Sequence, residues 1–436
     1  MSIRILLIAL RNIFAQRRRS LLLGSAIAFV TYLLVALMAF SRGLQDNMLE
    51  SATTLASGHI NVGGFYKVSV GVARPIVVDY AKVEAAVRAA SPHITHISRR
   101  SRGGFDRVTS ERRSLMNAIN GIDVGTDRQL SQRLEMASGS LDALKEPGTV
   151  LVFQRQATDL NVAVGDMLTI TGLTARGVRN RADVRVGAIA KDMGGLSQIM
   201  TFLPTQTLNE LYELRAENTG VLMVFLDDRD LAAEVAGQLR ETLRAAGYEV
   251  MEPEDKPFWQ KQQTVEREDW TGQRLDVSTW RDEMGDLAKI VDTLDFVAFA
   301  FTFVLMCVIV IGLWNTFFMV VRERTPEIGA LRAIGMSRGR VRFMVLAEAG
   351  LLALMASTTG ALLAVVTVAI VNGADIAVAD PQLQFVLMSD RFTLGIDPSK
   401  VVTSVLGIVW FAGLAALWPA YRASRVQPGK AMGHAT

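Results

Sequence analysis

Residues whose types and spacing could support catalysis are scarce in this 436-residue chain. The single cysteine, Cys307, excludes a disulfide framework and a multi-cysteine metal site. The four histidines are scattered along the chain, so a histidine metal cluster is not expected. The sequence contains no G-x-x-x-x-G-K-[ST] loop to cradle ATP phosphates, no nucleophile elbow and no H-E-x-x-H run. We therefore predict a non-catalytic chain that holds no metal and no cofactor of its own.

The most informative segment is a short charged loop, Arg322–Ser337, between two long apolar stretches. Thr325 is expected to be the N-cap of a short helix, Pro326 suits its first position, and Gly335 suits the position that ends it. The apolar edge of this helix, on which a partner protein could dock, would consist of Ile328, Leu331 and Ile334. A short helix held tightly between two membrane spans is well placed to transmit force.

Glu348 enters an apolar stretch about two turns after Arg342. A carboxylate within a membrane costs free energy unless it lies near the interface or has a partner. We therefore hypothesise that Glu348 pairs with Arg322 or Arg324 and braces the loop.

Four stretches of at least 20 residues lack Asp, Glu, Lys and Arg, and each can form a helix that crosses the roughly 30 Å hydrocarbon core of a bilayer. They are Ser20–Ser41, Phe296–Val321, Ala349–Ala374 and Val401–Tyr421. The first is longer than the apolar part of a signal peptide, so we predict an uncleaved anchor. The residues before it predict an amphipathic interfacial helix, with packing on a partner protein as the alternative.

Basic residues cluster before the first span, between the second and third, and after the fourth. These segments, including both termini, are therefore expected in the cytoplasm, and residues 42–295 are expected outside it. The net charge of +3 then reflects membrane topology and does not support nucleic-acid binding.

The exterior region alternates short strands with helices, which predicts an α+β domain. The predicted strands are His59–Phe65, Gly148–Phe153, Met167–Thr171, Val184–Ala190, Gly220–Leu226 and Tyr248–Met251. Asp79 and Asp230 are expected to cap helices. Arg42–Ala56 and Ser278–Leu294 are expected to be helices that serve either as stalks or as caps of the domain. A run of arginines between Arg99 and Arg113 is expected to be a solvated face, with an anionic head group or a partner surface as the alternative.

Two motifs resemble the FtsX-like permeases of MacB-type (type VII) ABC transporters, and the layout is closest to the lipoprotein-releasing LolC and LolE permeases. Arg324 through Gly335 matches the family run R-x-x-E-I-G-x-L-[RK]-A-x-G, and Pro419 through Pro428 matches P-A-x-x-A-x-x-x-x-P. Gln427 stands where the family often has an acidic residue or Asn. Asn161–Leu168 is similar to a stretch that opens a strand in the exterior domain of these permeases. The similarity in topology and loop order extends along essentially the whole chain.

The resemblance implies a membrane protein with four transmembrane α-helices and a large α+β extracytoplasmic, MacB-like periplasmic domain inserted between the first and second spans. Residues 1–43 would comprise the interfacial helix and the first span, and residues 44–293 the exterior domain with its stalk helices. Residues 294–436 would form the FtsX-like permease domain, with the other three spans, the coupling helix, an exterior loop and a short cytoplasmic tail.

The implied function is that of a permease subunit, a mechanotransmitter in the bacterial inner membrane that couples cytoplasmic ATP hydrolysis to work in the periplasm. Its expected partners are two copies of an ABC ATPase that hold the ATP and Mg²⁺, a second permease that is identical or paralogous, membrane lipid, and a periplasmic or outer-membrane protein. The favoured work is extraction or export of lipoprotein or lipid. The alternatives are MacB-like export of a peptide or small molecule and FtsX-like regulation of a cell-wall hydrolase.

The resemblance also implies which residues dock on the ATPase. These coupling residues are Glu327, Ile328, Gly329, Leu331, Arg332 and Gly335. If the substrate carries a lipid anchor, it would enter between the first two spans of two permease copies. The apolar residues expected to contact it there are Leu37, Phe40, Leu44, Met48, Phe296, Phe299 and Phe303, with plain lipid or dimer contacts as the alternative.

Overall fold

The computed structural model describes residues 2–15, 17–69, 71–174, 177–378, 380, 383–384, 387, 389 and 391–425. Gln427 and Pro428 of the second motif lie outside these residues. The chain divides into two compact units. The first, here the membrane unit, comprises Met1–Asp46, Asp292–Ile376 and Phe392–Thr436, and the second, here the sheet unit, comprises Asn47–Val291 and Ala377–Arg391.

The helices are α1 (Ser2–Ala15), α2 (Arg17–Leu55), α3 (Tyr80–Ala90), α4 (Arg128–Arg133), α5 (Gln154–Leu160), α6 (Gly194–Ser197), α7 (Thr205–Tyr212), α8 (Ala232–Ala245), α9 (Phe258–Val265), α10 (Trp280–Glu283), α11 (Gly285–Glu323), α12 (Thr325–Ala333), α13 (Arg338–Gly373) and α14 (Pro398–Ala423). The strands are β1 (Ile60–Ser69), β2 (Val72–Arg74), β3 (Ile94–Thr109), β4 (Ser114–Ile122), β5 (Met136–Gly139), β6 (Thr149–Phe153), β7 (Met167–Leu173), β8 (Arg179–Ala190), β9 (Met200–Pro204), β10 (Val221–Leu226) and β11 (Gly272–Thr279).

Four helices in the described part of the chain are long and apolar enough to cross a membrane. They are Ser20–Leu55 within α2, and α11, α13 and α14. Three of them contain a predicted apolar stretch completely, and α13 contains all of Ala349–Ala374 except its last residue, so the prediction of four transmembrane helices is confirmed.

Small residues let the helices of the membrane unit pack closely. Alanines of α13 and α14, among them Ala353 and Ala412, are fully buried beside Leu34 and Leu313. A Cβ atom added at Gly360 of α13 would lie 2.1 Å from the carbonyl oxygen of Ala28 in α2. The backbones of these two helices therefore touch, which only glycine permits at this position.

The sheet unit is built on an eleven-stranded sheet within the described residues. Nine strands follow the order β11-β1-β10-β3-β4-β9-β6-β8-β5, and β2 pairs with β1. β7 pairs with both β3 and β8, so β3, β4, β9, β6, β8 and β7 close into a ring. Apolar side chains fill this ring, among them Val108, Val152 and Ile170. A second core lies where α3 and α8 cover the β11-β1-β10-β3 part of the sheet.

The α+β prediction for this unit is confirmed, with corrections to individual elements. Strand pairing between Tyr248 and Met251 is limited to one bridge, from Val250 to Leu275. Ser278 lies in β11, so the second predicted stalk helix begins later than expected, whereas α2 continues to Leu55 as predicted.

Two predicted helix caps are also different in the structure. Asp79 precedes α3 in a left-handed conformation and makes no side-chain capping hydrogen bond, and its carboxylate accepts a hydrogen bond from Lys82. Asp230 lies within a short 3-10 turn before α8, and Asp228 is the residue that caps this turn.

The arginine run between Arg99 and Arg113 is not a uniformly solvated face, because part of it forms the buried strand β3. Arg100 is 1% exposed, and its Nε donates to the Asp127 carboxylate at 2.7 Å. Arg102 is also buried, with its guanidinium 4.0 Å from the centre of the Phe258 ring. Arg107 and Arg113 are exposed, so the expectation holds for one end of the run and is wrong for Arg100 and Arg102.

Candidate coupling site

Helix α12 connects α11 to α13 and has the caps that its sequence suggests, with one correction. Pro326 lies in its first turn, and Gly335 has a φ of +105°, the left-handed conformation that ends a helix. The N-cap is Arg324 rather than Thr325. The Thr325 hydroxyl donates to the Val321 carbonyl at 2.9 Å and so does not cap α12.

The inner edge of α12 is packed into the membrane unit. Ile328 is 3% exposed, and Gly329 beside it is also buried. The apolar cluster around Ile328 contains Val321, Val341, Val345, Ala420 and Ala423, which come from α11, α13 and α14. Ile328 therefore anchors α12 to its own chain, which corrects the expectation that its side chain forms part of a docking edge.

The opposite face of α12 is open. Glu327, Ala330 and Ile334 are spaced by three and four residues, so they share one side of the helix, and all three are exposed. Ile334 is 86% exposed, the highest value among the large apolar side chains that the structure describes. Leu331 and Arg332 are half-buried, and Gly335 is exposed.

An ion pair joins the start of α12 to α13. Arg324 Nη1 lies 2.7 Å and 3.0 Å from the two carboxylate oxygens of Glu348, and both side chains are largely buried. The Nε atom of Arg324 lies 3.5 Å from a carboxylate oxygen of Glu327. The partner of Glu348 is therefore Arg324. Arg322 instead places its guanidinium 5.0 Å from the centre of the Phe318 ring. That this pair braces the coupling helix remains a prediction.

The seven residues predicted to contact substrate are not equally accessible. Phe296, Phe299 and Phe303 line one side of α11 and are 69%, 67% and 61% exposed. Leu44 and Met48 are buried, so the structure corrects their assignment as contact residues.

The remaining two predicted contact residues, on α2, are partly covered. Leu37 is half-buried, and Phe40 stacks on Phe392 with 5.9 Å between ring centres. Among the seven predicted contact residues, the most accessible are therefore Phe296, Phe299 and Phe303, here the phenylalanine face of α11.

A family model matches the part of the chain that contains this site. Residues 299–428 match the model of the FtsX-like permease C-terminal domain. No curated protein matches the chain. The structure of the extracellular domain of the noncanonic ABC-type transporter YknZ from Gram-positive bacteria shares 13% identity over 43% of this chain and 94% of that chain, with a TM-score of 0.30. The periplasmic region of MacB from Actinobacillus actinomycetemcomitans shares 14% identity over 46% of this chain and 88% of that chain, with a TM-score of 0.28.

Proposed function

Because residues 299–428 match the model of the FtsX-like permease C-terminal domain, we propose that this chain is the membrane subunit of an ABC-type transporter and that α12 receives the movement of a separate ATPase. The observation that carries the proposal is the division of α12 into two faces. Its Ile328 edge is anchored to three membrane-crossing helices, whereas Glu327, Ala330 and Ile334 are exposed on the other side. A partner that grips the open face would therefore move the helices to which the inner edge is attached.

The chain would act as a mechanotransmitter. Two copies of the ATPase, which bind the ATP and Mg²⁺, would push α12 from the cytoplasm. The Arg324–Glu348 pair and the Ile328 cluster would pass the displacement to α11, α13 and α14. Both α2 and α11 supply residues to the membrane unit and to the sheet unit, so displacement of these helices would perform the work outside the cytoplasm.

The proposed setting is the bacterial inner membrane, with both termini in the cytoplasm and the sheet unit in the periplasm. A second permease, identical or paralogous, would complete the transporter, and a periplasmic or outer-membrane protein would cooperate with it. The proposed substrate is a lipoprotein or lipid taken from the membrane. The phenylalanine face of α11 supports this choice, because three exposed aromatic rings provide the apolar surface that an acyl chain leaving the bilayer requires.

Binding of the ATPase tests the first part of the proposal. The chain is purified in mild detergent from its native membranes together with any ABC-type ATPase bound to it, and the dissociation constant is measured for wild type and for Ile334→Ser. Burial of an isoleucine side chain contributes about 1.5–3 kcal/mol, so we expect binding to weaken about tenfold or more. Ile370→Ser is the matched control, because Ile370 is 65% exposed and lies near the C-terminal end of α13, far along the chain from α12.

Two outcomes would contradict the ATPase assignment. One is that no ATPase accompanies the wild-type chain. The other is that Ile334→Ser and Ile370→Ser bind it equally well, because the open face of α12 would then not be where the partner docks.

The substrate is tested by mass spectrometry of material bound to the purified chain. We expect acylated protein or lipid to accompany wild type and to be reduced in Phe299→Ser. Phe301→Ser is the control, because Phe301 is 57% exposed but lies on another side of α11. Absence of acylated material from every sample would contradict the substrate while leaving the ATPase result unaffected.

A further inference from the structure

A cavity of about 440 Å³ lies within the membrane unit, between α1, α2, α11, α12 and α13. Each of these helices contributes apolar side chains to its wall. They include Ile13, Leu23, Phe317, Ile328, Met344 and Leu352. We propose that this cavity binds one acyl chain of an anionic phospholipid from the surrounding leaflet.

The position of the wall along the helices argues for a hydrocarbon occupant. From Met344 to Leu352, the wall follows α13 for eight residues, or about 12 Å. Leu23 and Phe317 place the cavity at the charged ends of the first two membrane-crossing helices. The medium beside these parts of the helices is lipid, so the molecules that can enter are mainly lipid chains. Ile8 of α1, which is 43% exposed, lies at the accessible edge.

The chemistry of the wall favours an apolar chain over water. An apolar cavity of about 150 Å³ binds benzene, so a cavity of about 440 Å³ has room for a longer hydrocarbon. If it were empty, its lining would lose dispersion contacts on one side. The charged groups in the wall are Arg324, Glu348 and Glu327. Arg324 lies 2.7 Å from Glu348 and 3.5 Å from Glu327, so each carboxylate in the wall has a cationic partner.

The charge near the cavity favours an anionic head group. Ser20 and Asn12 line the cavity. The exposed side chains of Arg17 and Arg18 lie within three residues of Ser20, and the exposed Arg11 is next to Asn12. An acyl chain in the cavity would bring its phosphate close to these guanidinium groups, whose charge is complementary.

The acyl chain would also contact the coupling helix. Ile328, Leu331 and Ile334 contribute to the cavity, and so does the Arg324–Glu348 pair. Glu327 and Ala330 line it as well, so the cavity borders the face of α12 that the ATPase is proposed to grip. Occupancy would therefore stabilise one position of α12. This consequence for coupling rests on the proposed function, whereas lipid binding itself requires only that the helices lie in a membrane.

Photolabelling of the full chain without any ATPase tests the site. The protein is placed in nanodiscs that contain phosphatidylglycerol with a diazirine at the end of one acyl chain, and labelled residues are identified by mass spectrometry. We expect label on the buried wall residues Met344 and Leu352, with competition by unlabelled phosphatidylglycerol. A phosphatidylcholine probe of the same chain length should label them several-fold less.

A space-filling variant provides the comparison. Leu23→Trp should reduce labelling of Met344 at least fivefold, because Leu23 lines the cavity. Leu22→Trp should leave it unchanged, because Leu22 is 74% exposed and does not line the cavity. The site would be overturned if Met344 and Leu352 of wild type carried no label that unlabelled phosphatidylglycerol reduces. Equal labelling of the two variants would also overturn it. Equal labelling by the two lipids would overturn the head-group assignment. Because ATPase is absent, none of these outcomes depends on the proposed coupling role.

Discussion

Arg324 and Glu348 form a largely buried ion pair, in which each charge depends on the other for compensation. Desolvation makes such a pair a weak source of net stability, but removal of one partner leaves an uncompensated charge. The pair also joins the residue that begins α12 to the third membrane-crossing helix. We therefore expect its loss to affect both stability and coupling.

Arg324→Met should lower the free energy of unfolding by about 3 kcal/mol, as removal of one partner of a buried pair does. Arg322→Met is the matched control and should change it by less than about 1 kcal/mol, because Arg322 is exposed. Thermal unfolding of the detergent-solubilised proteins measures the difference. Glu348→Gln separately tests the brace, since unchanged ATPase coupling and unchanged protein level in this variant would show that the charge pair is unnecessary.

Arg100 has a comparable structural role in the sheet unit. Its guanidinium donates to the carbonyl oxygens of Thr54 and Leu55, the last residues of α2, at 2.6 Å each, and to the carboxylate of Asp127. Burial alone would raise the pKa of Asp127, but the charge of Arg100 and hydrogen bonds from Arg100 and Leu130 outweigh it and hold the pKa of this carboxyl below its usual value. The end of α2 is thereby tied to β3.

Arg100→Met should destabilise the sheet unit by about 3–5 kcal/mol at pH 7. A lowered pKa means that ionised Asp127 contributes stability above its unfolded pKa of about 4, and that this contribution is lost as the pH falls through the lower folded value. In the variant, the effect of burial is no longer opposed by the charge and hydrogen bond of Arg100, so the pKa of Asp127 should rise. The stability difference from wild type should then decrease as the pH falls through the raised pKa of the variant, and decrease further in wild type's own range below about 4.

Thermal unfolding between pH 7 and pH 3.5 measures this dependence. Arg99→Met is the control, because the Arg99 side chain is 31% exposed and its nearest carboxylates lie at 3.9 Å. A stability difference for Arg100→Met that is independent of pH would contradict the role assigned to the Arg100–Asp127 pair.

At the scale of the elements, glycine determines how closely α2 and α13 approach. Gly360 faces the backbone of Ala28, whereas a methyl group at Gly350, ten residues earlier in α13, would meet no other described helix within 4 Å. The same substitution at these two glycines therefore separates helix packing from helix propensity.

Gly360→Ala should lower the melting temperature by several degrees, because the new methyl group must displace α2 or α13. Gly350→Ala should leave it unchanged or raise it slightly, since alanine favours a helix. Melting curves of the two detergent-solubilised variants provide the measurement. Equal effects of the two substitutions would show that the close contact between α2 and α13 does not contribute to stability.

At the scale of the whole molecule, the charge pattern predicts which side of the membrane each unit faces. In a Cys307→Ala background, an impermeant maleimide should label Ala216→Cys of the sheet unit in cells with a permeabilised outer membrane. It should label Ser337→Cys, which follows α12, only after the inner membrane is disrupted. Both positions are exposed, so folding does not block the reagent. The reverse pattern would invert the proposed topology and remove the basis for an ATPase at α12.

The sequence alone was sufficient for the features that depend on local signals. Long uncharged stretches determine the four spanning helices, because a helix in lipid must be apolar over its whole length. Pro326 and Gly335 delimit α12 through their own backbone preferences. The sequence does not predict β2, β3, β4, β5, β9 or β11, and in β3 the arginines hide the pattern of a buried strand.

Only the tertiary structure decided which side chains meet. It buries Ile328 and exposes Ile334, although both are isoleucines on one short helix. It pairs Glu348 with Arg324 instead of Arg322. It also compensates the charge of Arg100 with the Asp127 carboxylate and with a carbonyl oxygen at the end of α2. These outcomes depend on neighbours that approach from distant parts of the chain, and local preferences carry no information about them. Burial and charge compensation are properties of that three-dimensional neighbourhood, so the residue type alone does not determine them.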